Sequence, residues 1–277
     1  RTALAVSEDL LNWEKKGVVL DAGSGRPWDT NGRAISCLLC DVDLYGNREL
    51  TKYNGKYWLF YHAYPGVGYE VGAAANGIAW STDEELLEWH CEEEPVFTKG
   101  ALGCWDGDGM YSTWIVPHDG KYLLYYNGKK YTENAWNEQV GVAFSDSFHN
   151  WKRYEGNPVL KVTPNHWDSH FSCGQHVLYD SRWVMFYCGF DWKHAQEGVA
   201  ISSDMLSWEK YERPIIEYGK SGEIDSIHAH KPCIIYHDGA LWHFYCAVRP
   251  TETDEEKKKF GNEFRCLTVA RSKSFDK

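Results

Sequence analysis

Ala5-Val6-Ser7-Glu8-Asp9, Ala79-Trp80-Ser81-Thr82-Asp83, Ala143-Phe144-Ser145-Asp146 and Ala200-Ile201-Ser202-Ser203-Asp204 are one phrase repeated, a small-apolar strand closed by Ser and an acidic residue. A Trp follows each copy, at Trp13, Trp89, Trp151 and Trp208, and a fifth copy reads Ala270-Arg271-Ser272-Lys273-Ser274. The serines lie 74, 64, 57 and 70 residues apart. A loose period of this kind is the mark of blades arranged around an axis.

Working outward, a second phrase precedes four of the five. Asn54-Gly55, Asp119-Gly120, Asp180-Ser181 and Asp238-Gly239 each open an alternating aromatic strand, as in Lys56-Tyr57-Trp58-Leu59-Phe60-Tyr61. Asn-Gly and Asp-Gly supply the positive φ angles of tight hairpins, and the strands they join are aromatic or β-branched. Each unit then reads inner strand, hairpin, second strand, loop, Ser-phrase strand and a last strand, the last closing at Pro95-Val96, Pro158-Val159 or Pro214-Ile215. Helical periodicity is almost absent. The expectation is an all-β chain, a five-bladed β-propeller of four-stranded antiparallel blades forming one catalytic domain over residues 1–277. A sandwich also uses short strands, but does not require one phrase five times. Four inner-strand heads serve five Ser phrases, so one blade is expected to be incomplete at the N-terminus.

Composition narrows the partners. Apolar residues make up 43% of the chain and aromatics 16%, enough for a sizeable core and too many for disorder. Apolar runs fall short of the ~18 residues that span a bilayer, so no membrane segment is expected. The net charge of −11 repels phosphate backbones and argues against nucleic acid. Aromatic rings and carboxylates suit a neutral sugar, the rings stacking on its apolar faces and the carboxylates accepting from its hydroxyls. The nine cysteines are scattered, several inside apolar strands, and Cys37-x-x-Cys40 has no companion pair. Buried free thiols are expected, which favours a reducing compartment. No signal peptide is seen, and one removed earlier would leave the compartment open.

Chemistry is expected where the inner strands begin. Three heads open on Trp-Asp, at Trp28-Asp29, Trp105-Asp106 and Trp167-Asp168, and the fourth on Ile224-Asp225. Asp106, Asp168 and Asp225 precede the strand-ending Tyr126, Tyr187 and Tyr245 by 20, 19 and 20 residues. In the first head Asp29 precedes Tyr61 by 32 and Asp41 by 20, so that head holds an insertion, with Asp43 on the same face as Asp41. A repeated Asp has a plain reading as a cap on the turn into each strand. The polar residues clustered beside it favour a site: Asp108, His166, His170, His176, Glu223, His228, His230, Lys231, Arg48 and Glu49.

The pattern Trp-Asp … Asp-Gly-Lys-Tyr-x-Leu-x-Tyr … Gly-Ile-Ala-x-Ser-x-Asp … Trp … Pro-Val resembles the five-bladed β-propeller glycoside hydrolases of families 43, 32, 62, 68, 117 and 130, over the whole chain. The resemblance implies cleavage of terminal sugars from oligo- or polysaccharides by a carboxylate acid/base pair at the channel mouth, with inversion. An arabinofuranosidase or xylosidase type of exo-glycosidase is the implied activity. The acid motifs do not carry over: Cys173-Gly174-Gln175, Ser172-Cys173-Gly174 and His230-Lys231-Pro232 stand where families 43 and 32 place Glu-Gly-Pro or Glu-Cys-Pro. The catalytic set is therefore drawn from Asp41, Asp43, Asp106, Asp168, Glu223 and Asp225, with Asp106 or Asp108 as base or tuning group and Glu223 or Asp225 as acid. Trp28, Asp29, Arg48, Trp105, Asp108, Trp114, His170, His228 and His230 are the expected substrate contacts. Loops at 66–76, 129–139 and 251–262 are expected to shape the pocket. No cofactor is required, although relatives leave room for a structural cation in the channel. Two alternatives stand beside this reading: a catalytically silent sugar-binding propeller, and a phosphorylase anchoring phosphate on Arg48, Lys231 and Arg249.

Overall fold

The computed structural model describes residues 2–23, 25–67, 71–133 and 135–272; Lys273 and Ser274 of the fifth Ser phrase, and residues 68–70 and 134 of the expected loops, lie outside them. The repeat is realised as antiparallel meanders distributed over two compact units. The first unit comprises Arg1–Cys40, Leu50–Lys130 and Ala143–Glu155, and the second Asp41–Glu49, Tyr131–Val142 and Gly156–Lys277.

In the first unit β1 (Thr2–Val6) pairs with β2 (Glu14–Leu20). A four-stranded sheet follows in sequence order, β3 (Arg33–Leu38), β4 (Tyr57–Ala63), β5 (Ala75–Ser81) and β6 (His90–Cys91). β7 (Gly109–His118) and β8 (Lys121–Tyr131) form a hairpin, and β9 (Trp136–Ser145) ends in this unit, where it pairs with β10 (Lys152–Arg153). The core packs Phe60, Ile78, Met110, Leu124, Tyr126 and Phe148, all at most 1% exposed.

The second unit repeats the plan. β11 (Phe171–Asp180), β12 (Arg182–Phe190), β13 (Ala195–Ser202) and β14 (Glu209–Lys210) run in sequence order, followed by β15 (His228–His237), β16 (Ala240–Pro250) and β17 (Glu263–Arg271). The expected loop at 251–262 instead carries a short helix, α1 (Asp254–Phe260). Thr253 caps it by accepting from the Glu256 amide, acidic residues fill its first turn and lysines its last, and Gly261 at φ +77° closes it. Among the described residues no helix is long and apolar enough to cross a membrane.

Both phrases read from the sequence have local causes. Asn54-Gly55, Asp119-Gly120 and Asp238-Gly239 all sit at positive φ, between +48° and +73°, as two-residue hairpins demand. In the Ser phrase, Ser202 Oγ accepts from the Asp204 and Met205 amides, and the Asp204 carboxylate accepts from the Leu206 and Ser207 amides. Those amide donors pull the Asp204 carboxyl down to about 2. The following Trp208 donates its indole N–H to the Met205 carbonyl, as Trp89 does to Leu86 and Trp151 to Phe148.

The Trp-Asp pairs lock each sheet to its entering loop. Trp167 stacks on Tyr187 at 5.5 Å, and a side chain at Gly198 would collide with it, a Cβ there meeting the indole at 2.4 Å. This explains why Gly precedes Val-Ala in the repeated phrase. Beneath it Asp168, 0% exposed, accepts from the Tyr187 hydroxyl at 3.2 Å and the Lys210 ammonium at 2.5 Å. In the first unit Trp105 lies over Tyr126 and Asp106 takes the Tyr126 hydroxyl and Arg153, while Trp28 lies over Tyr61 and Asp29 takes Arg26 and Arg33. Removing one partner of a buried ion pair strands the other charge, at about 3–5 kcal/mol. Lys210→Met is accordingly expected to lower the urea midpoint by that stability difference, and adding Asp168→Asn to recover part of it. A midpoint unchanged in the single variant would contradict the clamp.

Candidate active site

The expected catalytic carboxylates, with Asp29 from the expected substrate contacts, fall into four settings. Asp29, Asp106 and Asp168 are at most 2% exposed, and each accepts from a basic residue of its own unit. Asp41 and Asp43 lie in a turn at the hairpin end of β11: Asp43 bridges to Tyr179, and the Asp43 and Tyr45 amides donate to the Asp41 and Asp43 carboxylates. The bulge of β11, between Cys173 and His176, lies three or more residues from Tyr179, roughly 10 Å or more along the strand. Exposed Glu223 caps a turn by accepting from the Lys220 amide. Asp225 differs from its three counterparts. It is half-buried, its carboxylate accepts from the Tyr245 hydroxyl at 2.7 Å, and among the described residues no cation meets it.

Other expected contacts are also absorbed into the fold. Trp28 and Trp105 belong to the clamps, and Trp114 packs against the first unit's core. Asp108 pairs with Lys130 at 3.5 Å. Arg48 donates to the Asp41 and Ile234 carbonyls, and Arg249 forms two hydrogen bonds with Glu256 beside α1.

Each inner strand carries a β-bulge near its start, at Ile35/Cys37, Tyr111/Thr113, Cys173/His176 and His230/Cys233. Ser112, Gly174 and Lys231 occupy three of them at φ +40° to +69°. Bulges redirect side chains and concentrate beside active sites. In the first unit they gather Ser36 and His62, whose Oγ and Nδ1 lie 3.1 Å apart, with the rings of Tyr64 and Tyr111 about the imidazole.

In the second unit the same ends assemble an aromatic cluster. Trp192, 38% exposed, is surrounded by Trp136 at 4.8 Å, His170 at 5.2 Å, Phe190 at 5.5 Å and Phe171 at 5.8 Å. It sits at φ +73°, an uncommon backbone for so large a side chain, held by a turn in which Asp191 accepts from the Lys193 and His194 amides. Glu138, only 6% exposed, bridges in parallel to Phe171, and its Oε1 accepts from the Trp136 indole at 2.9 Å. His228 packs on Phe190 and faces His230 across 6.0 Å. His228 Nδ1 accepts from the Ala195 amide, so Nε2 carries the proton. Burial depresses both imidazoles, His230 to about 3, and leaves them neutral donors suited to hydroxyl groups. The structure thus brings His170, His228 and His230 together. Trp136, Glu138 and Trp192 were not among the expected site residues, although Glu138 is the one carboxylate in the strand Trp136–Ser145.

Residues 47–224, more than half of the sequence, match the model of the glycosyl hydrolases family 32 N-terminal domain. The protein belongs to this family. It is a β-propeller glycoside hydrolase, placed more narrowly than its motifs allowed, since Glu-Cys-Pro is absent. A solved structure described as a glycoside hydrolase superposes with a TM-score of 0.82 at 26% identity, covering 99% of this protein and 78% of its own length. Another, a BT0996 RGII complex, gives 0.82 at 27%, covering 98% and 78%. A thermostable family-43 glycoside hydrolase shares the fold at 19% identity and a TM-score of 0.67, covering 97% and 81%.

One further acid of the hydrolase is buried in β13, opposite Cys188. Glu197 is 0% exposed, neither carboxyl oxygen has a hydrogen-bond partner among the described residues, and His243 Nε2 is 4.0 Å away. Burial pushes the Glu197 carboxyl well above its ordinary range and His243 down to about 4. The two act oppositely on stability. The contribution of Glu197 is full below its unfolded pKa and is lost as pH rises toward the raised folded value; that of His243 is full above its unfolded pKa and is lost as pH falls toward about 4. Glu197→Gln removes the first slope. The variant is expected to melt several degrees higher at pH 7–8, with the difference shrinking toward pH 4.5. Equal melting points at pH 8 would show that Glu197 is not held protonated.

Proposed function

We propose that this glycoside hydrolase removes a terminal sugar from an oligo- or polysaccharide with inversion, using a carboxylate pair at the mouth of a five-bladed propeller with four-stranded blades. The observation that supports this reading best is Glu138, 6% exposed, whose Oε1 accepts from the indole of Trp136 in the Trp136–Trp192–Phe171–Phe190 cluster, against which His170 and His228 also pack. Trp192 offers its exposed face to the apolar side of a sugar ring. His170, His228 and His230 hold hydroxyls, and Glu138 is the base that activates water. Asp225, oriented by Tyr245 and carrying no counter-charge among the described residues, is the acid that protonates the leaving oxygen. The resemblance to pentoside-cleaving families makes arabinofuranoside and xyloside the first substrates proposed.

Aryl arabinofuranoside, xyloside, galactoside and fucoside, each with and without phosphate, provide the test. Phosphate-independent release of the aglycone is expected, and proton NMR should show the first-formed sugar as the opposite anomer. Glu138→Gln and Asp225→Asn should each lower kcat by about 10²–10⁴-fold. Trp192→Ala should raise KM about three- to tenfold, the worth of one ring contact. Binding without turnover across a broad glycan panel would favour the silent sugar-binding alternative, and retention of the anomer would replace the inverting assignment.

A further inference from the structure

We infer that Cys173 is a positioning residue for Glu138, its thiol donating to the carboxylate so that the thiol and the Trp136 indole N–H together fix the orientation of the base. The inference rests on the assignment of Glu138 proposed above. Glu138 pairs in parallel with Phe171 at the start of β11, and Cys173, two residues on, shares the face of Phe171. The strand bulges immediately after the thiol, with Gly174 at φ +63°, so backbone geometry fixes where the sulfur points. Cys188 lies directly opposite Cys173, and the Cys188 sulfur and the Glu138 carboxylate both act on the Cys173 thiol. The Cys188 S–H is directed at the Gly189 carbonyl, 3.7 Å away. That leaves the Cys173 proton for the carboxylate, a far better acceptor than a neighbouring sulfur.

The arrangement needs a thiol and not a thiolate. Cys173 is 8% exposed, and the adjoining thiol, burial and the nearby carboxylate raise its pKa well above the ordinary range. It therefore stays protonated throughout the working pH range of a carboxylate base. Trp136 approaches from the strand of Glu138 itself, and Cys173 from the neighbouring strand, so two independent elements define the carboxylate plane. Neither donor carries charge. They orient the base without cancelling the negative charge it needs to polarise water.

Kinetics of Cys173→Ala, Cys173→Val and Cys173→Ser test the inference. Loss of the donor in the Ala and Val variants is expected to lower kcat about two- to tenfold, the worth of one hydrogen bond, with KM unchanged. The acid limb of the kcat/KM profile should move to higher pH, because a carboxylate that loses a donor is protonated more easily. Cys173→Ser, which keeps a donor, should restore both kcat and the limb. Val retains the volume of the thiol and separates lost packing from the lost donor, and melting curves confirm the fold of each variant. Ala and Val profiles superimposable on wild type, or a change confined to KM, would overturn the positioning role while Glu138→Gln remained inactive. An active Glu138→Gln enzyme would instead remove the base assignment, and this inference with it.

Discussion

A carboxylate sealed beneath a tryptophan, with a cation and a tyrosine hydroxyl turned onto it, is the contact on which the sheets depend. An ionised group at 0% exposure is tolerated only when paired and hydrogen-bonded. Asp168 meets that condition by drawing in Lys210 from β14 and Tyr187 from β12. The three partners come from different parts of one meander, so satisfying the charge fixes the order and spacing of its strands. The indole above it then requires bare backbone on the neighbouring strands. A Cβ at Gly189 or Gly198 would come within 2.4 Å of that ring. The recurrent glycine, the strand-ending tyrosine and the cation on the short outer strand are consequences of one buried charge.

This shared origin explains why the fold was readable and the site much less so. Asn54-Gly55, Asp119-Gly120 and the Ser-Asp turns are governed by φ angles and hydrogen bonds within a few residues, and such signals survive in a linear sequence. The recurring Asp was equally visible, but capping and catalytic aspartates look alike until burial is known. Burial of Asp106 and Asp168 is settled by Arg153 and Lys210, 47 and 42 residues away. Asp41 was legible as part of an insertion, but its attachment beside Tyr179 is a long-range contact that no local pattern announces. Glu138 falls in the stretch 129–139 expected to be a pocket-shaping loop, whereas it lies in the strand Trp136–Ser145, and its bridge to Phe171 places it beside the start of β11. Trp192 gave no sequence sign of its left-handed backbone, which is imposed by the Asp191 turn.

Asp225 shows how little separates the structural acids from the one proposed as the catalytic acid. It repeats the register of Asp168 and accepts from the equivalent tyrosine, and differs only in its partial exposure and in meeting no cation among the described residues. Taking the lysine or arginine away from a clamp leaves an oriented carboxylate whose charge is not neutralised. Such a group remains positioned by Tyr245.

Glu138 follows the same logic from the other direction. Its Oε1 accepts from the Trp136 indole, and the second donor proposed for it is the Cys173 thiol. A cation beside a carboxylate stabilises the charged form and draws off the electron density that a base must offer, whereas neutral donors set direction and leave that density in place. In the proposed assignment a neutral partner, more than position in the repeat, sets the base apart from the acids that hold the meanders together. Asp29, Asp106 and Asp168 are matched with cations, and Glu138 accepts from the uncharged Trp136 indole.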